Sequence, residues 1–477
     1  MLNGRLVLSE KLIVMLAMVV IVCLISLFIL LDIFLYLPML IICLYFVIFS
    51  IFIVNKNFYK LITFLKRVNK NYFLVTFFYI GCLSFRVRNV DTIEENPIDG
   101  AAVFRIIVWM APILILFIQA SIKKKFRYFS ARSIMGVLLF YGTIALISTI
   151  YSVSKFLTLY RSIELLIVVF TTIFIINQIK NRKELIDFLN FNIFMIFCLL
   201  LSTWLVFIFN PQLASFGLDG SGTKFQLGGA FIHPNALGTL GAIVFGIAVM
   251  RLTSPVYSKE HLLYIWIGLL SLCTVILSVS RTNLLIMVLV TFFALFLKRK
   301  YTLILYLTIC SSISVIGIPM IRETLWSYFS RGQSTELLFS FSERFPIWKA
   351  AIGVIKESLI LGNGFVSSRI IMPLAYNVPY FSPTSAHNSF LDVLVNLGIL
   401  GLIPIIVIFV YMWLTNIKLI LNPNNRNLGV EIFIIIFSVS LAAITGISFG
   451  SQVDHKFLIT IITISIMYKF GTRHIIE

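Results

Sequence analysis

Apolar residues recur in unbroken runs along almost the whole chain, separated by short polar punctuation. The strict apolar–polar alternation of a half-buried strand is missing. Runs of about 20 residues match a bilayer's hydrocarbon core crossed by a helix. They predict fourteen spans, at 12–31, 34–54, 70–85, 104–120, 133–151, 162–178, 188–209, 227–250, 262–280, 282–297, 301–319, 388–414, 430–450 and 456–470. The third is the least regular, because Asn69, Lys70 and Asn71 crowd its start and Arg86 its end. The ninth and tenth meet at a tight polar turn, "SVSRTN", Ser278 to Asn283. The expected fold class is all-α: one polytopic membrane domain of 12–14 helices over residues 1–477. Continuous runs disfavour a β-barrel, whose strands alternate.

Composition closes the remaining exits. Of 477 residues, 60% are hydrophobic, and the mean hydropathy is +1.03, which a water-soluble fold cannot bury. Cys23, Cys43, Cys82, Cys198, Cys273 and Cys310 all fall in apolar runs without a CxxC pair, so they are read as small apolar residues. The first run, after Arg5 and Lys11, is too long for a cleaved signal and is read as a retained span. No internal repeat is evident, which weakens a transporter built from paired halves.

The net charge of +19 would suggest nucleic acid on a soluble protein. Here its distribution gives another answer. With both termini cytoplasmic, the inner segments hold 24 Lys and Arg against eight in the short outer ones. That asymmetry is the positive-inside signature, and it removes the need for a nucleic-acid partner.

One long segment, 320–386, interrupts the spans and is expected on the outer face. Within it, "RFPIWKAAIGVIKESLILGNGF" (Arg344–Phe365) predicts a helix with Trp348, Ala351, Ile352 and Ile355 on one face, stopped at Gly362-Asn363-Gly364. A loop with its own helix and aromatics is read as a folded lid.

Cations near the outer half of a membrane protein run against the charge rule and need a reason. Four stand out: Lys224, Arg281, Arg344 and His387. Lys224 can be a snorkelling lysine or part of a pocket. Arg281 is either a headgroup anchor or a guanidinium whose fork suits a phosphate, with Ser280 or Thr282 capping the helix after it. Arg344 either pairs with Glu343 or faces the same pocket. His233-Pro234-Asn235 are expected about two turns inside a span, where Pro234 kinks the helix. His387 and Asn388 open a later span; Asn388 is a natural cap, whereas a cap does not require histidine, a residue able to accept a proton. Asp454 and His455 lie on the same side but are too few for a metal site. No GxGxxG, Walker loop or Ser-His-Asp pattern is present.

Together "GGAFIHPNALG", "SVSRTN", "RFPIWKAAIGVIKESLILGNGF" and "HNSFLDVLVNLGILGL" resemble the bacterial O-antigen ligase and polysaccharide polymerase family, over roughly residues 216–412. The ordered set is specific; each stretch alone is weak. The resemblance implies a metal-independent GT-C glycosyltransferase that uses a polyprenyl-diphosphate-linked oligosaccharide and no cofactor. It implies catalytic roles for His387, Arg344 and Arg281, and diphosphate or sugar contacts for Asn388, Asn235 and Lys224, the last standing where arginine is usual. Asp392 matches the family's polar residue after the His-Asn pair, and Asn396 replaces a frequent glutamate. The implied setting is the bacterial inner (plasma) membrane, with membrane lipids, a flippase and a chain-length regulator as partners. Polymerisation of repeat units leads, with ligation to another acceptor beside it. A lipid-linked oligosaccharide flippase is the rival from another class, disfavoured because the polar residues concentrate between Lys224 and His387.

Overall fold

The computed structural model describes residues 69–83, 90–96, 98–122, 131, 133–216, 226–228, 232–330, 344–376 and 382–471. The expected spans 12–31 and 34–54 lie outside the described residues, as do Lys224 and Glu343.

The described chain is a helical bundle. In order, its helices are α1 (Leu74–Gly81), α2 (Val90–Glu95), α3 (Gly100–Ile122), α4 (Ile134–Ile147), α5 (Lys155–Gln178), α6 (Arg182–Phe209), α7 (Pro234–Leu252), α8 (His261–Leu277), α9 (Arg281–Leu297), α10 (Tyr301–Gly317), α11 (Pro319–Ser330), α12 (Arg344–Glu357), α13 (Ser368–Ala375), α14 (Ser389–Leu421), α15 (Arg426–Thr445) and α16 (His455–Gly471). Seven, counting α8 together with the 3-10 turn Pro255–Glu260 before it, are long and apolar enough to cross a membrane, eight if α10 and α11, bent by 97°, form one span. The expected third span is reduced to a 3-10 turn, Lys70–Phe73, and the short α1. The described sheet is one two-residue pair, β1 (Ser215–Phe216) antiparallel to β2 (Gln226–Leu227).

The most enclosed long helix is α7. Its small residues let neighbours approach closely, as membrane interfaces favour. A Cβ on Gly241 would meet Val275 at 3.0 Å, and one on Gly246 would meet Val290 at 2.9 Å. The span expected to begin at 227 begins only at Pro234. Pro234 is the first helical residue, where its missing N–H costs nothing, so no kink arises.

Two buried ionic groups mark opposite ends of the bundle. Near the starts of α3 and α5, Arg105 and Arg161 share Glu164 at 2.9 and 2.8 Å. At the end of α7, Arg251 forks onto Glu431 at 2.8 and 2.7 Å and also reaches Asn190 and Tyr264.

The chain after α12 and helix α14 are knitted together. α14 breaks at Gly398, whose φ is +58°. The break leaves backbone groups without helical partners, and the chain after α12 supplies them. Asn363 N–H and Gly364 N–H donate to the Val395 and Asn396 carbonyls, while Ile399 N–H and Leu400 N–H donate to the Leu359 and Ile360 carbonyls. α12 ends at Glu357, before the Gly362-Asn363-Gly364 turn that was expected to stop it. Its buried face is Ile347, Ala351 and Ile355, packed on Met372, Ala386 and Val395. Ile352, expected on that face, is 46% exposed: the face that packs is centred on 347, 351 and 355, turned slightly from the expected one.

Candidate functional site

The starts of α7, α9, α12, α14 and α16 gather the polar residues at one end of the bundle. Each helix start carries the positive end of its dipole, so this end favours anions.

His233 caps α7: its Nδ1 accepts the Asn235 N–H at 3.1 Å. The Asn235 carbonyl accepts Asn283 Nδ2 at 2.8 Å, and Asn283 Oδ1 accepts the Thr239 hydroxyl. A Cβ on Gly238 would stand 2.5 Å from Asn283 Nδ2, so α7 and the polar turn are in intimate contact. The Asn235 side chain itself is exposed.

The turn reverses through Val279 at φ +47°. Ser280 occupies the cap position of α9 but makes no side-chain cap bond, and Thr282 lies inside the helix, so neither caps it as expected. Arg281 Nη2 donates to the Ser330 carbonyl at 3.1 Å, and Tyr328 donates to the Ile276 carbonyl at 3.2 Å. α11 is thereby folded back against the turn.

Arg344 is the first residue of α12 and is half-buried. Burial and then the like charge of Arg281 push its guanidinium below the ordinary range, which places the two cations in one field.

His387 has φ +48°, a left-handed conformation that histidine tolerates better than most residues. Two bonds hold the turn: Ala386 N–H to Asp392 Oδ1 at 3.1 Å and His387 N–H to Ser385 Oγ at 3.4 Å. Asn388 Oδ1 accepts the N–H groups of Phe390 and Leu391, so Asn388 is the α14 cap. Its Nδ2 donates to the Ile444 carbonyl. Asp392 is fully buried and also accepts Asn396 Nδ2, whose Oδ1 accepts the Ser368 N–H. The polar pair Asp392–Asn396 therefore braces the His387 turn and does not line an open site.

Burial, then Arg344, then Lys456 lower the His387 imidazole to about 4. At neutral pH it is uncharged, so it can still accept a proton. His233 is lowered to about 3 by burial, Lys456 and His387. These mutual influences bring Arg281, Arg344, His387 and His233 into one neighbourhood and add Lys456, which sequence reasoning missed. Its signal was weak: a lone lysine in "QVDHKF", far downstream of the other motifs. Among the described residues no three of His, Cys, Asp or Glu gather as a metal site would require.

Residues 266–406 match the O-antigen ligase family. The matched region runs from α8 to the part of α14 beyond its break, and it contains Arg281, Arg344, His387 and Asn388. Asn235 and Lys456 enter the neighbourhood from outside it. Members of the family are glycan-transferring membrane enzymes. No curated protein gives a significant match to the chain.

Proposed function

We propose that the protein transfers glycan from a polyprenyl-diphosphate carrier to an acceptor hydroxyl, polymerising oligosaccharide repeat units into a surface polysaccharide. The observation that carries this reading is that Arg344 shares a field with Arg281 on one side and with an uncharged His387 on the other, at an end of the bundle built from helix starts. Two guanidiniums suit a diphosphate, and fixed positive charge stabilises it as it leaves without requiring a divalent ion.

The step balances simply. The acceptor oxygen attacks the anomeric carbon, and the bond from that carbon to the diphosphate oxygen breaks. The electron pair stays on the diphosphate, and the hydroxyl proton passes to the His387 imidazole. The lid helix α12 carries Arg344 and packs on Ala386, next to His387, so lid position and base position are coupled.

Charge asymmetry supports a plasma-membrane setting with cytoplasmic termini and the site at the outer face. Ligation of finished glycan to a separate acceptor is the second reading, favoured by the description of the matched family. Purified protein incubated with lipid-linked repeat units alone tests both. A ladder of longer lipid-linked products supports polymerisation, product only after adding a separate acceptor supports ligation, and no transfer under either condition rejects both. Transfer that stops with chelator and resumes with one divalent ion would reject the arginine-based mechanism.

A further inference from the structure

Lys456, second residue of α16, is only 6% exposed. A buried ammonium is costly unless paired and hydrogen-bonded. Its surroundings meet that need only in part. Nζ donates to the Ile447 carbonyl, its one hydrogen bond among the described residues. The nearest carboxylate, Asp454, stands 4.0 Å away. That carboxylate is engaged in capping: its Oδ1 accepts the Phe457 N–H at 2.8 Å. An ammonium carries three donors, so donor capacity remains beside the positive end of α16.

The loop between α15 and α16 places this ammonium by the reactive turn. Ser389, two residues after His387, donates to the Gly446 carbonyl at 3.2 Å and accepts the Ser448 N–H at 2.8 Å. Ile447, which holds Nζ, lies between those two bonds. From behind, Arg105 donates to the Val453 carbonyl and is itself fixed by Glu164, while Tyr141 donates to the Gly450 carbonyl. The loop is stapled on both sides, so Lys456 has little freedom to leave.

We propose that Lys456 is an additional anion-binding residue of this site, set on α16, that stabilises the diphosphate as it departs. The inference rests on the diphosphate-donor reading above. Cleavage of the bond to the anomeric carbon adds a negative charge to the leaving group, and Lys456 offers it donors from a helix other than those bearing Arg281 and Arg344. Its charge also reaches both His387 and His233, as expected of a cation in the same neighbourhood.

The test measures inorganic pyrophosphate binding to the full chain in detergent by ligand-dependent thermal shift, with glycan transfer assayed in parallel. Lys456→Gln retains a donor for the Ile447 carbonyl but loses the charge, and is expected to weaken pyrophosphate about tenfold or more, the size of one charge-assisted hydrogen bond. Lys456→Arg should bind much as the wild type does. Asp454→Asn still caps α16 and removes the opposing charge, so it should bind at least as tightly as the wild type. Unchanged binding by Lys456→Gln, or weaker binding by Asp454→Asn, overturns the proposal whatever the transfer assay shows. Pyrophosphate binding that depends on Lys456 in a wild type that transfers no glycan supports this anion site and retires the donor reading.

Discussion

A Cβ on Gly362 would stand 2.6 Å from the amide nitrogen of Gly398, and a Cβ on Gly398 would stand 2.4 Å from the Ile360 carbonyl oxygen. Both residues also have positive φ, +66° and +58°. The two glycines are thus reciprocal requirements of one junction, where the chain after α12 completes the broken ladder of α14. Gly362→Ala or Gly398→Ala is expected to cost about 2 kcal/mol or more, since left-handed backbone and close contact both oppose a side chain. Gly353→Ala is the contrast: that helical position meets nothing within 4 Å, and it should gain about 0.5–1 kcal/mol. Thermal unfolding in detergent orders the three variants; equal midpoints would mean the junction contributes nothing to the fold.

Arg281 and Arg344 should each matter far more for turnover than for folding. Removing one preorganised charge from a transition-state site costs about 3–4 kcal/mol, roughly a hundred- to a thousandfold in rate. Lysine should restore only part of it, because it lacks the planar fork. Alanine variants that turn over normally would show these arginines to be interfacial anchors.

The pH dependence follows from His387. Its folded value is depressed to about 4, so the basic form persists as pH falls through the ordinary histidine range and is lost only near 4. The ratio kcat/KM, which reports the free enzyme, should therefore stay level from neutral pH to about 5 and then decline. Bound diphosphate offsets Arg344 and Lys456, so kcat should decline at a higher pH than kcat/KM. His387→Ala should abolish or strongly lower transfer with donor affinity little changed. His387→Gln keeps a hydrogen bond but cannot accept the proton. Substantial activity in the glutamine variant would reduce His387 to a positioning role.

Much of this was legible in the chain because hydrophobic patterning in a membrane protein has few solutions. Helices occupy most of the expected spans on described residues, with α3, α5, α6 and α15 starting a few residues early and α7 seven late, while the third span is only a 3-10 turn and a short helix. The motif residues Arg281, Arg344 and His387 do share a neighbourhood. Other features depend on tertiary partners that spacing does not reveal. Pro234 reads as a kink inside a span, and the His233 cap makes it a first residue instead. The break at Gly398 is stable only because the Leu359–Gly364 backbone is there to fill it. Lys456 reaches the site through a loop stapled to Ser389, a contact across nearly sixty residues.

Asp392 follows the His-Asn pair closely in sequence and is structural by contact. Its carboxylate holds the Ala386 N–H and Asn396 Nδ2, and so fixes the turn that aims His387. Asp392→Ala should lower kcat while leaving the KM for donor nearly unchanged, because the anion contacts lie elsewhere. Asp392→Asn preserves an acceptor for Ala386 and should recover part of the loss. A fall in donor affinity with kcat intact would place Asp392 among the binding residues instead.

The opposite end of the bundle supplies the control for all of these. Arg251 and Glu431 are buried, bidentate and supported by Asn190 and Tyr264. Breaking such a pair from one side leaves an uncompensated charge and costs about 3–5 kcal/mol, whereas replacing both partners with apolar residues of similar volume is often neutral. Arg251→Met and Glu431→Leu should each lower the unfolding midpoint, and the double variant should recover most of it. Because neither residue contributes charge to His387 or Arg344, transfer per folded molecule should be unchanged in the double variant. Loss of transfer in a double variant that has regained its stability would show that the two ends are coupled, and that charge at the His387 end alone does not set the rate.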